Sequence, residues 1–155
     1  MSLEDELKGR FRNEYHRGLI NLIYTTKLLG YEFLQTLKEH GIAEQQYNVL
    51  RILRGFHSES PLCIGFIKER MLDKDPDVSR IVDRLFEKGL VSRKENPEDR
   101  RQKSVEITEN GLALLNSMFP CEQKADTLLN NLTSDEIKEL NRLLDKIRNI
   151  PGGSS

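Results

Sequence analysis

The sequence predicts a mainly α (α+β) fold in which helices flank a single β-hairpin. Apolar residues recur every three or four positions over most of the chain, which is typical of amphipathic helices. Two short alternating segments near residues 90–94 and 104–108 bracket a wholly polar stretch, which is typical of two strands and their loop. At 155 residues the chain is long enough for one domain with a core of its own, and we expect a single domain over 1–155.

The composition narrows the class of protein. With 24 basic and 25 acidic residues the net charge is −1, which excludes a histone-like binder but allows cations focused on one face. No apolar run approaches the roughly 18 residues of a membrane span, and no leader-like segment opens the chain, so we expect neither membrane insertion nor secretion. Two cysteines, Cys63 and Cys121, are too few for a disulfide framework, which favours a reduced, cytoplasmic protein.

Residues 4–39 are predicted to form one long helix, because apolar side chains recur at helical spacing throughout. Such a helix is about 50 Å long, more than a small domain can cover, so its apolar face predicts a partner. The alternative is a core helix with an overhang. Gly18 and Gly30 are the candidate positions for a kink or a break.

Three shorter helices follow, at 44–55, at 62–72 without a clean apolar stripe, and at 76–88. The last of these is the best defined. Asp75 is its expected N-cap and Pro76 its first residue, and Gly89 follows its end. Its buried stripe is formed by Val78, Ile81, Val82, Leu85 and Phe86.

Strands are predicted over 90–94 and 104–108, with the polar hairpin 95–103 between them. A helix then begins near Thr108 and is bent or interrupted near Pro120. The capping box of Thr133 and Glu136 starts an amphipathic last helix.

Helices placed directly before a cationic hairpin suit DNA. A helix with one polar face fits the major groove, about 12 Å wide, and the hairpin can reach the backbone or the minor groove. Residues 75–103 hold eight cations and seven anions, but no anion lies among Arg100, Arg101 and Lys103. From charge alone, an ordinary solvated hairpin remains the alternative.

The segment Val78–Val91 resembles the recognition helix and first wing strand of the multiple antibiotic resistance regulator (MarR) family. The segment Asn96–Gly111 is similar to that family's wing, in which Asp-x-Arg is followed by Val-x-Ile-Thr-x-x-Gly. The resemblance is specific over residues 75–115 and agrees in helix order over 5–150.

The resemblance implies a winged helix-turn-helix transcription factor that acts as a homodimer. It assigns residues 4–39 and 112–150 to dimerisation helices and 42–111 to the winged-helix part. It further implies a ligand-responsive repressor that binds a pseudo-palindromic operator through the recognition helix 76–88 and the wing 95–103. Two-fold symmetry would place the half-sites about one DNA turn apart.

The resemblance also implies roles for single residues. In the wing, Arg101 would enter the minor groove, Arg100 and Lys103 would contact phosphates, and Asp99 would stabilise the wing by pairing with an arginine. From the recognition helix, the residues expected to face DNA are Ser79, Arg80 and Arg84, although Arg84 could instead pair with Glu87.

Two positions depart from the family pattern. Ala43 stands where Ser or Thr commonly caps the second helix, so that cap is lost or moved. Asp77 is acidic at the start of the recognition helix, where it could accept a hydrogen bond from a cytosine amino group or simply repel phosphates.

The resemblance further implies a cleft for a small aromatic or phenolic effector, for which the candidate lining residues are His16, Ile20, Tyr24 and Tyr47. Tyr24 and Tyr47 could equally be core residues, and His16 a surface residue. The family's oxidant sensors carry a cysteine near the start of the first helix, whereas the first cysteine here is Cys63.

No metal-ligand spacing, phosphate-binding loop or nucleophile–base motif is present in the sequence, so we expect no cofactor, no metal and no enzyme activity. The alternative function is a winged-helix module for protein–protein interaction. The cations of the hairpin favour double-stranded DNA as the partner.

Overall fold

The computed structural model describes residues 1–95, 97–99 and 102–151. Its contacts divide the chain into two compact units, Met1–Cys121 and a second unit that begins at Glu122. The elements are α1 (Leu3–Leu7), α2 (Glu14–Glu39), α3 (Glu44–Gly55), a 3-10 turn (His57–Glu59), β1 (Leu62–Cys63), α4 (Ile64–Lys68), α5 (Val78–Glu87), β2 (Val91–Glu95), β3 (Lys103–Ile107), α6 (Glu109–Ser117), α7 (Phe119–Ala125) and α8 (Ser134–Arg148). The expected mainly helical α+β class is confirmed.

The predicted single helix over 4–39 is wrong at its start, because the chain breaks between α1 and α2. Lys8 adopts a left-handed conformation with φ of +51°, which ends α1. Asn13 then caps α2, its Oδ1 accepting the His16 amide at 2.9 Å. Gly18 and Gly30, the expected break points, both lie inside α2.

The core lies among α3, α4, α5, α6 and the sheet. Val49, Leu50 and Leu53 of α3 have no exposed surface, and neither has Leu85 of α5 or Leu115 of α6. The helix predicted over 44–55 is confirmed residue for residue. This apolar centre fixes the outer elements, including the helix and the hairpin that carry the candidate site.

The sheet has three antiparallel strands in the order β1-β3-β2. Val105 pairs with Arg93 of β2 on one side and with Leu62 of β1 on the other. The helix predicted over 62–72 is therefore wrong at both ends: its first two residues form a strand, and α4 ends at Lys68. Leu62 is buried against the sheet and core, which explains why the apolar residues of this segment gave no helical stripe.

Gly111 lies in the first turn of α6, where the helix packs closely against Leu90 and Ile107 at the base of the hairpin. A Cβ atom at this position would lie 2.4 Å from the Leu90 carbonyl oxygen and 2.6 Å from Cγ1 of Ile107. The Thr108 hydroxyl accepts the Gly111 amide at 3.1 Å and donates to the Gly89 carbonyl oxygen at 2.8 Å. The Thr-x-x-Gly segment thus holds the base of the hairpin in close contact with the first turn of α6.

The interruption expected near Pro120 is confirmed, since α6 ends at Ser117 and α7 begins at Phe119. In the second unit, the capping box of Thr133 and Glu136 is also confirmed. Hydrogen bonds from the Thr133 amide and hydroxyl lower the pKa of the Glu136 carboxyl. Within the described ranges, no helix combines the length and apolarity that crossing a membrane requires.

Candidate nucleic-acid interface

Helix α5 presents a polar face because its other face is fixed in the core. Val78, Val82 and Leu85 are buried, at 2%, 1% and 0% exposure. Ser79, Arg80 and Arg84 are exposed on the remaining surface. Among the described residues Arg84 makes no ion pair, so the expected alternative pairing with Glu87 is absent there. The three residues predicted to face DNA from this helix therefore share one open surface.

The start of α5 differs from the prediction by two residues. Asp77, not Asp75, is the N-cap: its Oδ1 accepts the Arg80 amide at 3.2 Å, so Pro76 precedes the helix. Asp75 has a φ of +51°, and its carboxylate pairs with Lys68 Nζ at 3.2 Å. An Asp two residues nearer the apolar stripe has the better reach to the free amides. Asp77 thus has a structural role beside the predicted base contact.

The structure describes one of the three cations predicted to cluster in the hairpin, Lys103. Lys103 is half-buried at the start of β3, opposite Glu95 of β2. Asp99 is exposed, and its carbonyl oxygen accepts the Gln102 amide at 3.0 Å. Arg100 and Arg101 lie outside the described residues. Their predicted DNA contacts, like the pairing of Asp99 with an arginine, stay predictions.

Arg93 joins the recognition helix to the hairpin, a contact that sequence reasoning missed. Its guanidinium pairs with Asp83 of α5 and lies 4.3 Å from the centroid of the Phe86 ring. This contact explains why Phe86, predicted to be buried, is instead 44% exposed beneath an arginine. The available signal was an Asp and an aromatic residue three positions apart on α5, followed by Arg in the next strand.

Two grooves open at the start of α5. One of about 370 Å³ lies between the first turn of α3 and α5, and Lys74, Arg80 and Arg84 supply its cations. The other, of about 320 Å³, is lined by Lys68, Asp75 and Ser79 among others. Both grooves adjoin the face of α5 predicted to read DNA, and Asp75 and Asp77 line both of them, so the cations of that face are concentrated in the groove beside α3.

The start of α3 lacks a side-chain cap, as the sequence predicted for Ala43. Gln46 supplies the second half of a capping arrangement, because its Oε1 accepts the Ala43 amide at 3.1 Å. This glutamine also receives a hydrogen bond from Lys88 at 2.8 Å.

The four predicted effector residues are not equivalent. Tyr47 is buried in the core, 4.8 Å from the Phe33 ring centroid in an edge-to-face contact, as the core alternative predicted. His16, Ile20 and Tyr24 are partly buried on α2. His16 Nδ1 accepts the Arg12 amide at 3.2 Å. None of the four lines either groove beside α5.

Neither cysteine forms a disulfide. Cys63 is exposed on β1, and the partly buried Cys121 thiol donates to the Thr36 hydroxyl at 3.5 Å. Across residues 1–95, 97–99 and 102–151, no cluster of three His, Cys, Asp or Glu side chains is arranged to hold a metal ion.

Comparison with known proteins decides the class. The family model described as MarR family matches residues 31–103, which span α3, α4, α5 and β2 and end at the first residue of β3. The HTH-type transcriptional regulator MhqR of Bacillus subtilis is 30% identical over 113 residues, covering 72% of this chain and 75% of that protein. The chain belongs to the MarR family.

Further MarR proteins agree in sequence and fold. The multiple antibiotic resistance protein MarR of Salmonella typhimurium is 38% identical over 113 residues, covering 68% of this chain and 73% of that protein. The crystal structure of a MarR transcription factor from Planctomyces limnophilus is 33% identical and superimposes with a TM-score of 0.65, covering 88% of this chain and 98% of that chain. This MarR protein is thus a DNA-binding transcriptional regulator with a winged-helix fold, and the protein–protein alternative is disfavoured.

Proposed function

We propose that this MarR protein is a homodimeric repressor that binds a pseudo-palindromic operator in double-stranded DNA and releases it on binding a small aromatic or phenolic effector. The observation that carries the proposal is the open face of α5, on which Ser79, Arg80 and Arg84 are exposed, and α5 is joined to the first strand of the hairpin by the Arg93–Asp83 pair. We propose that the protein acts by binding DNA rather than by catalysing a reaction. Because its proposed partner is operator DNA, we expect this protein to act in the cytoplasm.

The contacts divide into two kinds. Arg80 and Arg84 reach base edges in the major groove, where arginine pairs best with guanine. Arg100 and Lys103 contact phosphates, and Arg101 enters the minor groove while Asp99 stabilises the wing. Phosphate contacts position the protein, whereas base contacts select the sequence.

The exposed apolar face of α2 supports the homodimer. Leu19, Leu28 and Leu34 are 56%, 54% and 45% exposed, and Tyr31 is 63% exposed. Large apolar side chains exposed in this number along one helix are typical of an interaction surface. The proposed occupant is a second copy of this chain, because a two-fold dimer matches the symmetry of a pseudo-palindrome.

Three partly buried side chains on α2 support the effector site. His16, Ile20 and Tyr24 lie on one stretch of that helix at helical spacing, and together they offer an imidazole, a phenol and an apolar wall. Such a set suits an aromatic ring carrying a hydroxyl or carboxylate. Tyr47 packs in the core on Phe33, which lies nine residues after Tyr24 on α2, and is left out of this set.

The first test is selection of bound duplexes from pooled random DNA at about 100 mM salt, followed by sequencing and fluorescence anisotropy. Recovery of a pseudo-palindrome with half-sites about one turn apart is the expected result. No enrichment, with only weak and salt-sensitive binding, would overturn the proposal and favour a protein partner.

Variants on the selected duplex test single residues. Lys103→Ala should reduce the magnitude of the slope of log K against log salt by about 1, because one phosphate contact is lost. An unchanged slope and affinity for Lys103→Ala would contradict its assignment.

Asp77→Ala should change the base preference of the protein. An unchanged preference with tighter binding would show that Asp77 only repels DNA.

The dimer is tested by sedimentation. Leu19→Glu should shift the protein towards the monomer, because a charge would be buried in the proposed interface. Ser58→Glu, at an exposed position of the 3-10 turn and outside α2, is the matched control and should leave the dimer intact. Equal behaviour of both variants would contradict an interface on this face.

A further inference from the structure

One lysine connects the ends of three helices. Lys88 follows the last residue of α5, and its Nζ donates to the Gly41 carbonyl oxygen at 2.6 Å and to Gln46 Oε1 at 2.8 Å. Gly41 lies in the turn after α2 with a φ of +70°, and Gln46 belongs to the first turn of α3. The ammonium therefore joins the end of α5 to the turn between α2 and α3.

The network is directional. Gln46 Oε1 accepts both the Lys88 ammonium and the Ala43 amide, so the glutamine is held on two sides. Hydrogen bonds from a charged donor are stronger and shorter than neutral ones. Two of the three ammonium donors are already used, which leaves Lys88 poorly suited to contact a DNA phosphate.

We propose that Lys88 is a positioning residue for DNA binding, which fixes the orientation of α5 without contacting DNA. The inference rests on the proposed role of α5 in reading DNA. Apolar packing through Val82 and Leu85 sets the depth of α5 in the core, but apolar contacts are non-directional. The bonds of Lys88 supply a directional constraint at the end of the helix, and base-edge hydrogen bonds depend on that orientation.

The test uses the full-length protein on the selected duplex. Dissociation constants are measured for wild type, Lys88→Met, Gln46→Met and the double variant over a series of salt concentrations. Each single variant should weaken binding about three- to tenfold, because the strength of an ordinary hydrogen bond is lost. The double variant should lose less than the two single losses combined, because both variants remove the Lys88–Gln46 bond and each also removes one bond of its own, to Gly41 or to Ala43.

The salt dependence separates positioning from direct contact. The salt slope should be unchanged in Lys88→Met, unlike in Lys103→Ala. Lys88→Arg keeps the charge and offers donors to the same acceptors, so it should recover part of the affinity lost in Lys88→Met. Stoichiometric titration gives the active fraction, so that each dissociation constant refers to folded protein only.

Several outcomes would overturn the inference while wild type still binds its duplex. The first is a salt slope whose magnitude falls by about 1 in Lys88→Met, and the second is that the losses of affinity add up in the double variant. The other two are single variants whose dissociation constants equal that of wild type, or variants in which only the fraction of active protein falls. Failure of wild type to select any duplex would instead overturn the proposed function, and this inference with it.

Discussion

Helix α2 and the winged-helix core carry the same kind of apolar repeat but differ in what covers it. Val49 and Leu50 of α3 have no exposed surface, whereas Tyr15 and Leu19 of α2 are 91% and 56% exposed. Among the residues of α2, all of which the structure describes, only Leu37 is buried. Periodicity therefore determines where an apolar face lies on a helix, but it does not determine what covers that face.

The largest expected difference between the two regions is in the free energy of unfolding. Leu50→Ala should lower it by about 2–5 kcal/mol, because a fully buried leucine leaves a cavity. Leu28→Ala, on the 54% exposed surface of α2, should change it by less than about 0.5 kcal/mol in dilute protein. Urea unfolding measures both, and equal losses at low concentration would remove the distinction between the regions.

Two glycines should respond differently to substitution in these two regions. Gly111→Ala should cost about 1–3 kcal/mol, because its Cβ would lie 2.4 Å from a backbone oxygen that cannot move freely. Gly18→Ala on α2 meets nothing within 4 Å and should stabilise the helix by about 0.5–1 kcal/mol. Thermal unfolding at several protein concentrations provides the check. A Gly18→Ala variant destabilised more at high concentration would mean that a second copy packs at this position.

The contact between α5 and β2 should have a smaller effect. Arg93→Gln removes the ion pair with Asp83 and the contact with the Phe86 ring, which we expect to cost about 0.5–1.5 kcal/mol. The low value reflects solvent screening, since the Arg93 and Asp83 side chains are 31% and 47% exposed. Arg84→Gln is the matched control, expected to change stability by less than about 0.5 kcal/mol. Similar values for both in urea unfolding would contradict a stabilising contact.

The smallest effect concerns the join between α1 and α2. A hydrogen bond from Arg17, at 2.6 Å, lowers the pKa of Glu4 to about 2 from a usual value of 4.5. Because the folded pKa is the lower one, the stabilisation is present above about pH 4.5 and is lost as pH falls towards 2. Glu4→Gln should therefore lower the Tm slightly at pH 7 and hardly at all near pH 2. A difference that does not change with pH would contradict this pairing.

Local chemistry in the sequence predicted much of the site. The open face with Ser79, Arg80 and Arg84 follows from the apolar stripe of α5, because a stripe that is buried leaves its opposite face outside. The cap was placed two residues early because Asp75 and Asp77 are equally good capping residues by type. Only backbone geometry, a φ of +51° at Asp75, separates them.

Contacts between residues distant in the chain could not be read in this way. In the sequence Lys88 is only one of the eight cations of residues 75–103. In the structure its ammonium donates to Gly41 and Gln46, which lie 47 and 42 residues away in the chain. Arg93 likewise became informative only when β2 was placed beside α5. The strand at Leu62 was missed because two residues carry no periodicity, and the strand exists only through its pairing with β3.

By itself the sequence determined the helices with clear apolar stripes, the hairpin, the capping box at Thr133 and membership of the MarR family. These follow from side-chain spacing and local hydrogen bonding, which act over a few residues. The tertiary structure alone decided which apolar faces are buried, why Gly111 has no room for a Cβ atom, and what Lys88 and Arg93 hold together. Those features depend on the approach of segments far apart in the chain, and neither spacing nor composition encodes that approach directly.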